Sequence, residues 1–157
     1  MGCGMVRKVD ELGRVVVPKE MRRVLGIKPG SSIEMSIDKD NNVVLKKFSE
    51  IENLQFFAQI VADSLFEITN KSIVVCDDEK VVVFKGISKK MIENASFSDL
   101  LEGKNDIAGA YETYVAQIKS DGCVCGYIIL LSSEKIGDDN KKLCEIASKI
   151  FGRAICS

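Results

Sequence analysis

A chain of 157 residues, 46% hydrophobic and 29% charged, has the balance of a folded globular protein with room for one large domain or two small ones. No apolar run approaches the ~18 residues of a membrane span, and the start lacks the basic-then-apolar pattern of a secretory signal, so a cytoplasmic protein with no membrane association is expected. The formal charge of −1 hides a split: within residues 1–30, Arg7, Lys8, Arg14, Lys19, Arg22, Arg23 and Lys28 stand against Asp10, Glu11 and Glu20, a net +4 that leaves −5 for the rest. Such asymmetry suggests a polyanion-binding segment joined to something else.

In chain order, residues 5–10 (MVRKVD) predict a strand, ELGR a turn, and residues 15–17 (VVV) a second short strand. Pro18 suits the first position of a helix, where its missing N–H is not needed. The helix KEMRRVL stops at Gly26, a good residue for a left-handed helix end. Lys28-Pro29-Gly30 is a turn. SSIEMSID then alternates Ile33, Met35 and Ile37 on one face, the pattern of a half-buried strand, and DKDNN turns the chain back into VVLKKF. So small a unit has too few apolar positions to build a core alone, which predicts association with a second copy.

From Ile51 the period changes to that of a helix. Ile51, Leu54, Phe57, Val61, Leu65 and Ile68 form one apolar stripe over about five turns, closed by Asn70 and Lys71. Strands SIVVC and VVVFKG follow around Asp77-Asp78. Ser88 is placed to cap a helix containing Met91 and Ile92, and Ser98 to begin another. Residues 110–119 and 123–132 flank Ser120-Asp121-Gly122 as a second hairpin. An amphipathic helix ends the chain, with Leu143, Ile146, Ala147, Ile150, Phe151 and Ala154 on its inward face. Residues 51–157 are thus expected to be an α+β domain with a largely antiparallel sheet, following a domain of residues 1–50.

The six cysteines do not suggest a disulfide set. Cys76, Cys123, Cys125 and Cys144 lie in apolar segments, where free cysteine acts as a small buried hydrophobe; Cys3 is expected to be an exposed, oxidisable thiol. With no histidine and no C-x-x-C pair, no zinc or other metal site is expected. The usual acid–base partner is missing too, and no glycine-rich phosphate loop is present, so no enzyme is expected.

The stretch from Gly4 to Gly30, GMVRKVDELGRVVVPKEMRRVLGIKPG, resembles the AbrB family of transition-state regulators, whose signature it matches almost residue for residue. The resemblance implies a swapped-hairpin DNA-binding domain, in which two chains interleave their hairpins into one small β-barrel. It implies that Arg7, Arg14, Arg22 and Arg23 contact double-stranded DNA, with Lys8 and Lys19 more peripheral. The residue types suit that role by themselves, because the planar fork of arginine donates paired hydrogen bonds to phosphate or to guanine edges. A helix-turn-helix is excluded, since a single short helix lies between strand patterns. The family's basic arm is replaced here by Met1-Gly2-Cys3-Gly4, which lowers the affinity to be expected.

Residues 51–157, with their leading helix and the V-V-C-D-D-E-K-V-V-V strand pair, resemble the GAF-like domain of GAF-fused members of that family. Such domains hold small ligands. None of their ligand signatures appears here, and the segment between Leu101 and Ala116 is short for covering loops, so no cofactor is assigned and oligomerisation is the expected role. The whole resemblance implies a sporulation or transition-state regulator, homodimeric or homotetrameric, acting at the nucleoid. The alternative is an antitoxin of the MazE type, which uses the same DNA-binding fold but binds a toxin protein through an acidic tail.

Overall fold

A computed structural model describes residues 4–103 and 112–156. The chain divides into two compact units between Phe48 and Ser49.

In the first unit, residues 4–17 contain one turn and no strand. The strands expected at residues 5–10 and 15–17 are therefore not formed. The turn between them is: the Gly13 amide donates to the Asp10 carbonyl at 3.0 Å and the Asp10 amide to the Arg14 carbonyl at 3.0 Å. Extended segments register as strands only when a neighbour completes the ladder, and none among the described residues does. Helix α1 (Lys19–Val24) follows Pro18. It ends in a Schellman motif, in which the Ile27 amide donates to the Arg22 carbonyl and the Gly26 amide to the Arg23 carbonyl. The motif needs a left-handed residue, and Gly26 supplies it at φ 65°. A turn closed from Ser31 N–H to the Lys28 carbonyl leads into strands β1 (Ile33–Ile37) and β2 (Val43–Lys47), an antiparallel hairpin. Met35 and Ile37, expected half-buried, are exposed: a two-stranded ribbon has no second layer to cover them.

The second unit opens with helix α2 (Glu50–Asn53). Its cap, Ser49, accepts from the Glu52 amide and donates from its hydroxyl to the buried Asp77 carboxylate at 2.8 Å. A break at Leu54 precedes α3 (Gln55–Thr69), so the expected single helix is two. Asn70 closes α3 in the left-handed conformation at φ 50°. Strands β3 (Ser72–Cys76) and β4 (Val81–Lys85) flank a turn organised by Asp77, which accepts from the Glu79 and Lys80 amides. Helix α4 (Lys89–Asn94) is capped by Ser88 as expected, but α5 (Phe97–Glu102) is capped by Ser96 and not begun at Ser98. Strands β5 (Glu112–Ser120) and β6 (Cys123–Ser132) join through Asp121 and Gly122, both at positive φ, the backbone of a tight hairpin turn. Helix α6 (Asp138–Ile155) completes the unit. The segment Leu101–Ala116, expected to be short for covering loops, includes residues 104–111, which lie outside the described residues.

The sheet order is β4-β3-β6-β5, and all described pairings are antiparallel. Alternation along β3 and β6 sends Ile73, Val75, Ile128 and Leu130 to one face and Val74, Cys76, Ile129 and Leu131 to the other. The first set packs against residues of α2, α3 and α6 (Ile51, Leu65 and Phe151 among them), and the second against residues of α4 and α5 such as Ile92 and Leu100. The result is a sheet with core on both sides, the α+β architecture expected.

Helix α6 shows a shifted face. Its buried residues are Cys144, Ser148, Phe151 and Gly152, whereas Ile146 and Ile150 are about half exposed. Close approach decides this. A Cβ on Gly152 would lie 2.1 Å from the Lys119 carbonyl oxygen, so the small residues mark the side that touches β5. Ile68 of α3 is likewise exposed; Ala58 and Ala62 occupy the interior.

Candidate nucleic-acid interface

The six basic residues singled out by sequence all lie in the first unit, within or beside the turn and α1. Arg7 and Lys8 are exposed on the segment leading into the turn, and Arg14 is exposed on its far side. Lys19 is the first residue of α1, and Arg22 and Arg23 stand in its last turn, where the partial negative charge of the helix end favours them. Arg22 alone is half-buried, and its Nε is enclosed without a hydrogen-bond partner. An enclosed guanidinium nitrogen with no acceptor is costly to leave so.

The turn has a residue that sequence reasoning passed over. One Asp10 carboxylate oxygen accepts from the amides of Leu12 and Arg14 at 3.0 and 2.8 Å, and the other accepts from Arg14 Nε at 2.7 Å. The Arg14 amide, then its side chain, hold the Asp10 carboxyl below its ordinary range. Both partners are solvent-exposed, so the pair fixes geometry more than it stabilises the fold. The signal was present in the sequence: Asp followed by Gly-Arg three and four residues on is turn chemistry in which a short carboxylate accepts from its own backbone.

The same unit exposes apolar side chains on an unusual scale. Val6 is 95% exposed, Val24 82% and Leu12 75%, joined by Val9, Val15, Val16, Met35, Ile37 and Val43. Against them, only Pro18 and Ile27 are buried apolar side chains of the unit among the described residues.

The thiols separate into two kinds. Cys76 and Cys144 are buried, and burial raises each to about 12, as core packing requires. Cys123 is exposed, so the expectation of a core position fails for it, whereas Cys125 is half-buried and packs against the core cluster. Cys3 lies outside the described residues. Among the described residues, no three acidic or sulfur side chains come together to hold a metal ion. No described helix is long and apolar enough to cross a membrane.

Comparison with known proteins places this geometry. The family described as "Antidote-toxin recognition MazE, bacterial antitoxin" matches residues 6–50. Stage V sporulation protein T of Bacillus subtilis is 44% identical over 103 residues, 66% of this chain and 58% of that protein. The transition state regulatory protein AbrB of the same organism is 45% identical over 62 residues, 40% of this chain and 64% of AbrB. These matches therefore span about three fifths of the length of each relative. Among solved structures, the cofactor-binding GAF domain of the nutrient sensor CodY from Clostridium difficile is similar at a TM-score of 0.47 with 14% identity, covering 66% of this chain and 92% of that one. Residues 6–50 match the MazE antitoxin family model, and the chain is similar to stage V sporulation protein T and to AbrB.

Proposed function

We propose that this protein is a transcriptional regulator of the sporulation or transition-state kind, binding double-stranded DNA through Arg7, Arg14, Arg22 and Arg23 of a dimer with interleaved hairpins, with Lys8 and Lys19 at the margin. The observation that carries the reading is the joint exposure, in one short unit, of basic side chains and of apolar side chains the chain itself leaves uncovered. In the dimer the apolar set becomes the shared core, the segments around the Asp10–Arg14 turn gain ladder partners, and arginines of both copies face one duplex. The similarity to AbrB and stage V sporulation protein T supports a regulatory role and no catalytic one. The second unit then serves as a GAF-like sensor or a further oligomerisation module of the regulator, which acts in the cytoplasm at the nucleoid. A toxin-binding antitoxin is the weaker reading, since residues 49–157 build their own two-sided core where such antitoxins carry a tail that folds on the toxin.

The test is salt dependence of DNA binding. Eight guanidinium groups per dimer meeting roughly six to eight phosphates give a slope of log K against log salt of about −5 to −7. Arg14→Ala removes two groups per dimer. If they meet phosphates, the slope becomes shallower by about two; if they read guanine edges, specific sites lose about 1–3 kcal/mol per contact while random DNA loses little. Glu34→Ala, on the hairpin, is the control. Identical binding and slope for both variants and the parent would overturn the arginine assignment.

A further inference from the structure

We propose that Cys125 and Cys156 are a redox pair that closes into a disulfide, tying the end of α6 to the β5–β6 hairpin. Three thiols stand at this corner, and two of them meet on one residue. The Cys156 sulfur lies 2.9 Å from the Ser120 hydroxyl oxygen, and the Ser120 backbone N–H donates to the Cys125 sulfur. The Cys125 thiol itself donates to the Cys123 carbonyl at 3.7 Å. Ile118 pairs with Gly126 and Lys119 with Val124, so Cys125 is the extra residue of a β-bulge, a device that redirects a side chain. It packs on the same core cluster as Ile155, the neighbour of Cys156.

The two thiols have complementary settings. Cys156 is exposed at the helix cap and lines an open cavity of about 370 Å³ together with Lys119, Lys149, Arg153 and Asp121, whose carboxylate accepts from its thiol at 3.8 Å, so an oxidant can reach the sulfur. Cys125 is half-buried, and burial raises its thiol, so it waits as the resolving partner and not the first attacker. With hydrogen peroxide as oxidant, the Cys156 sulfur attacks the O–O bond, forming a sulfenic acid and releasing water. The Cys125 sulfur then attacks that sulfur, the S–S bond forms, and the hydroxyl leaves with a proton as a second water. Two thiols are oxidised and one peroxide is reduced to two waters. The Cys156 amide is held by a bond to the Arg153 carbonyl at 3.2 Å, and its sulfur would have to leave its contacts with Ser120, Asp121 and Gly152.

The experiment uses the full chain with Cys3→Ser, reduced and then treated with hydrogen peroxide, digested without reductant and analysed by mass spectrometry. The expected product is an intramolecular Cys125–Cys156 peptide pair, with both thiols lost from titration and recovered with dithiothreitol. Cys156→Ser, an exposed change that leaves the core alone, should abolish the crosslink, and Cys123→Ser should leave it at the parent's yield. A crosslink through Cys123, links only between chains, sulfinic acid without a crosslink, or thiols that stay titratable would each overturn the assignment.

Discussion

The two units answer the same physical demand in opposite ways. Residues 49–157 cover a four-stranded sheet on both faces, and Ile73, Val74, Val75, Ile128, Ile129 and Leu130 are all fully buried within one chain. The first unit has apolar residues in comparable variety and hides almost none of them. Its hairpin and turn are locally well made, with a Schellman end, an aspartate-bound turn and five residue pairs in the ribbon. Local geometry is thus satisfied in both halves, whereas burial is satisfied in one. Hydrogen bonds shape the first unit, and burial within it does not.

Predictions can break or sharpen this contrast. The largest effect belongs to Phe151, fully buried between α6 and the sheet and stacked edge-on to Phe57 at 5.1 Å. Phe151→Asp should cost about 4 kcal/mol or more and unfold the second unit, read as loss of its cooperative thermal transition. Next, residues 1–50 produced alone should sediment as a dimer at micromolar concentration, and dilution should unfold them as they dissociate. A folded monomer would erase the difference between the units. A smaller effect is expected at Gly152, where a methyl group meets the Lys119 backbone carbonyl and α6 must lift from β5: Gly152→Ala should cost about 1–3 kcal/mol in denaturant titration. The smallest is Ile150→Asp, one residue from Phe151 but half exposed, which should shift stability of the single unit by less than about 1 kcal/mol. If Ile150→Asp instead rivals Phe151→Asp, that face is covered by a second copy.

Sequence reading went furthest where local chemistry decides. Pro18 and Gly26 bracket α1, Asn70 closes α3, Ser88 caps α4, and Asp121-Gly122 turns the β5–β6 hairpin, each through a conformation or hydrogen bond specific to the residue type. It failed where close approach decides. The inward side of α6 is marked by Cys144, Ser148 and Gly152, and a hydropathy stripe ranks Ile146 and Ile150 above them because it measures apolarity and not the room between helix and strand. The choice of Ser96 over Ser98 was legible but missed: Ser96-x-x-Asp99 has the capping spacing, and Ser96 accepts from the Asp99 amide. In the candidate interface, the basic residues and the turn that carries Arg14 were legible. The anchoring role of Asp10 was not drawn from them, nor was the enclosure of Arg22, which depends on how the helix end folds back.

In the proposed DNA complex, the pairing of Arg14 with Asp10 has a consequence for the search along a long polyanion. Arg14 arrives with its neutralising partner already attached, so part of the attraction to any phosphate is spent on displacing a carboxylate, and fewer solution ions are set free than a count of guanidinium groups implies. In that complex a site offering two well-placed acceptors would displace the aspartate more readily than a phosphate met through a single contact. Asp10→Asn would keep a short acceptor for the turn while removing that competitor, and the protein should then linger on random DNA, losing selectivity as it gains affinity.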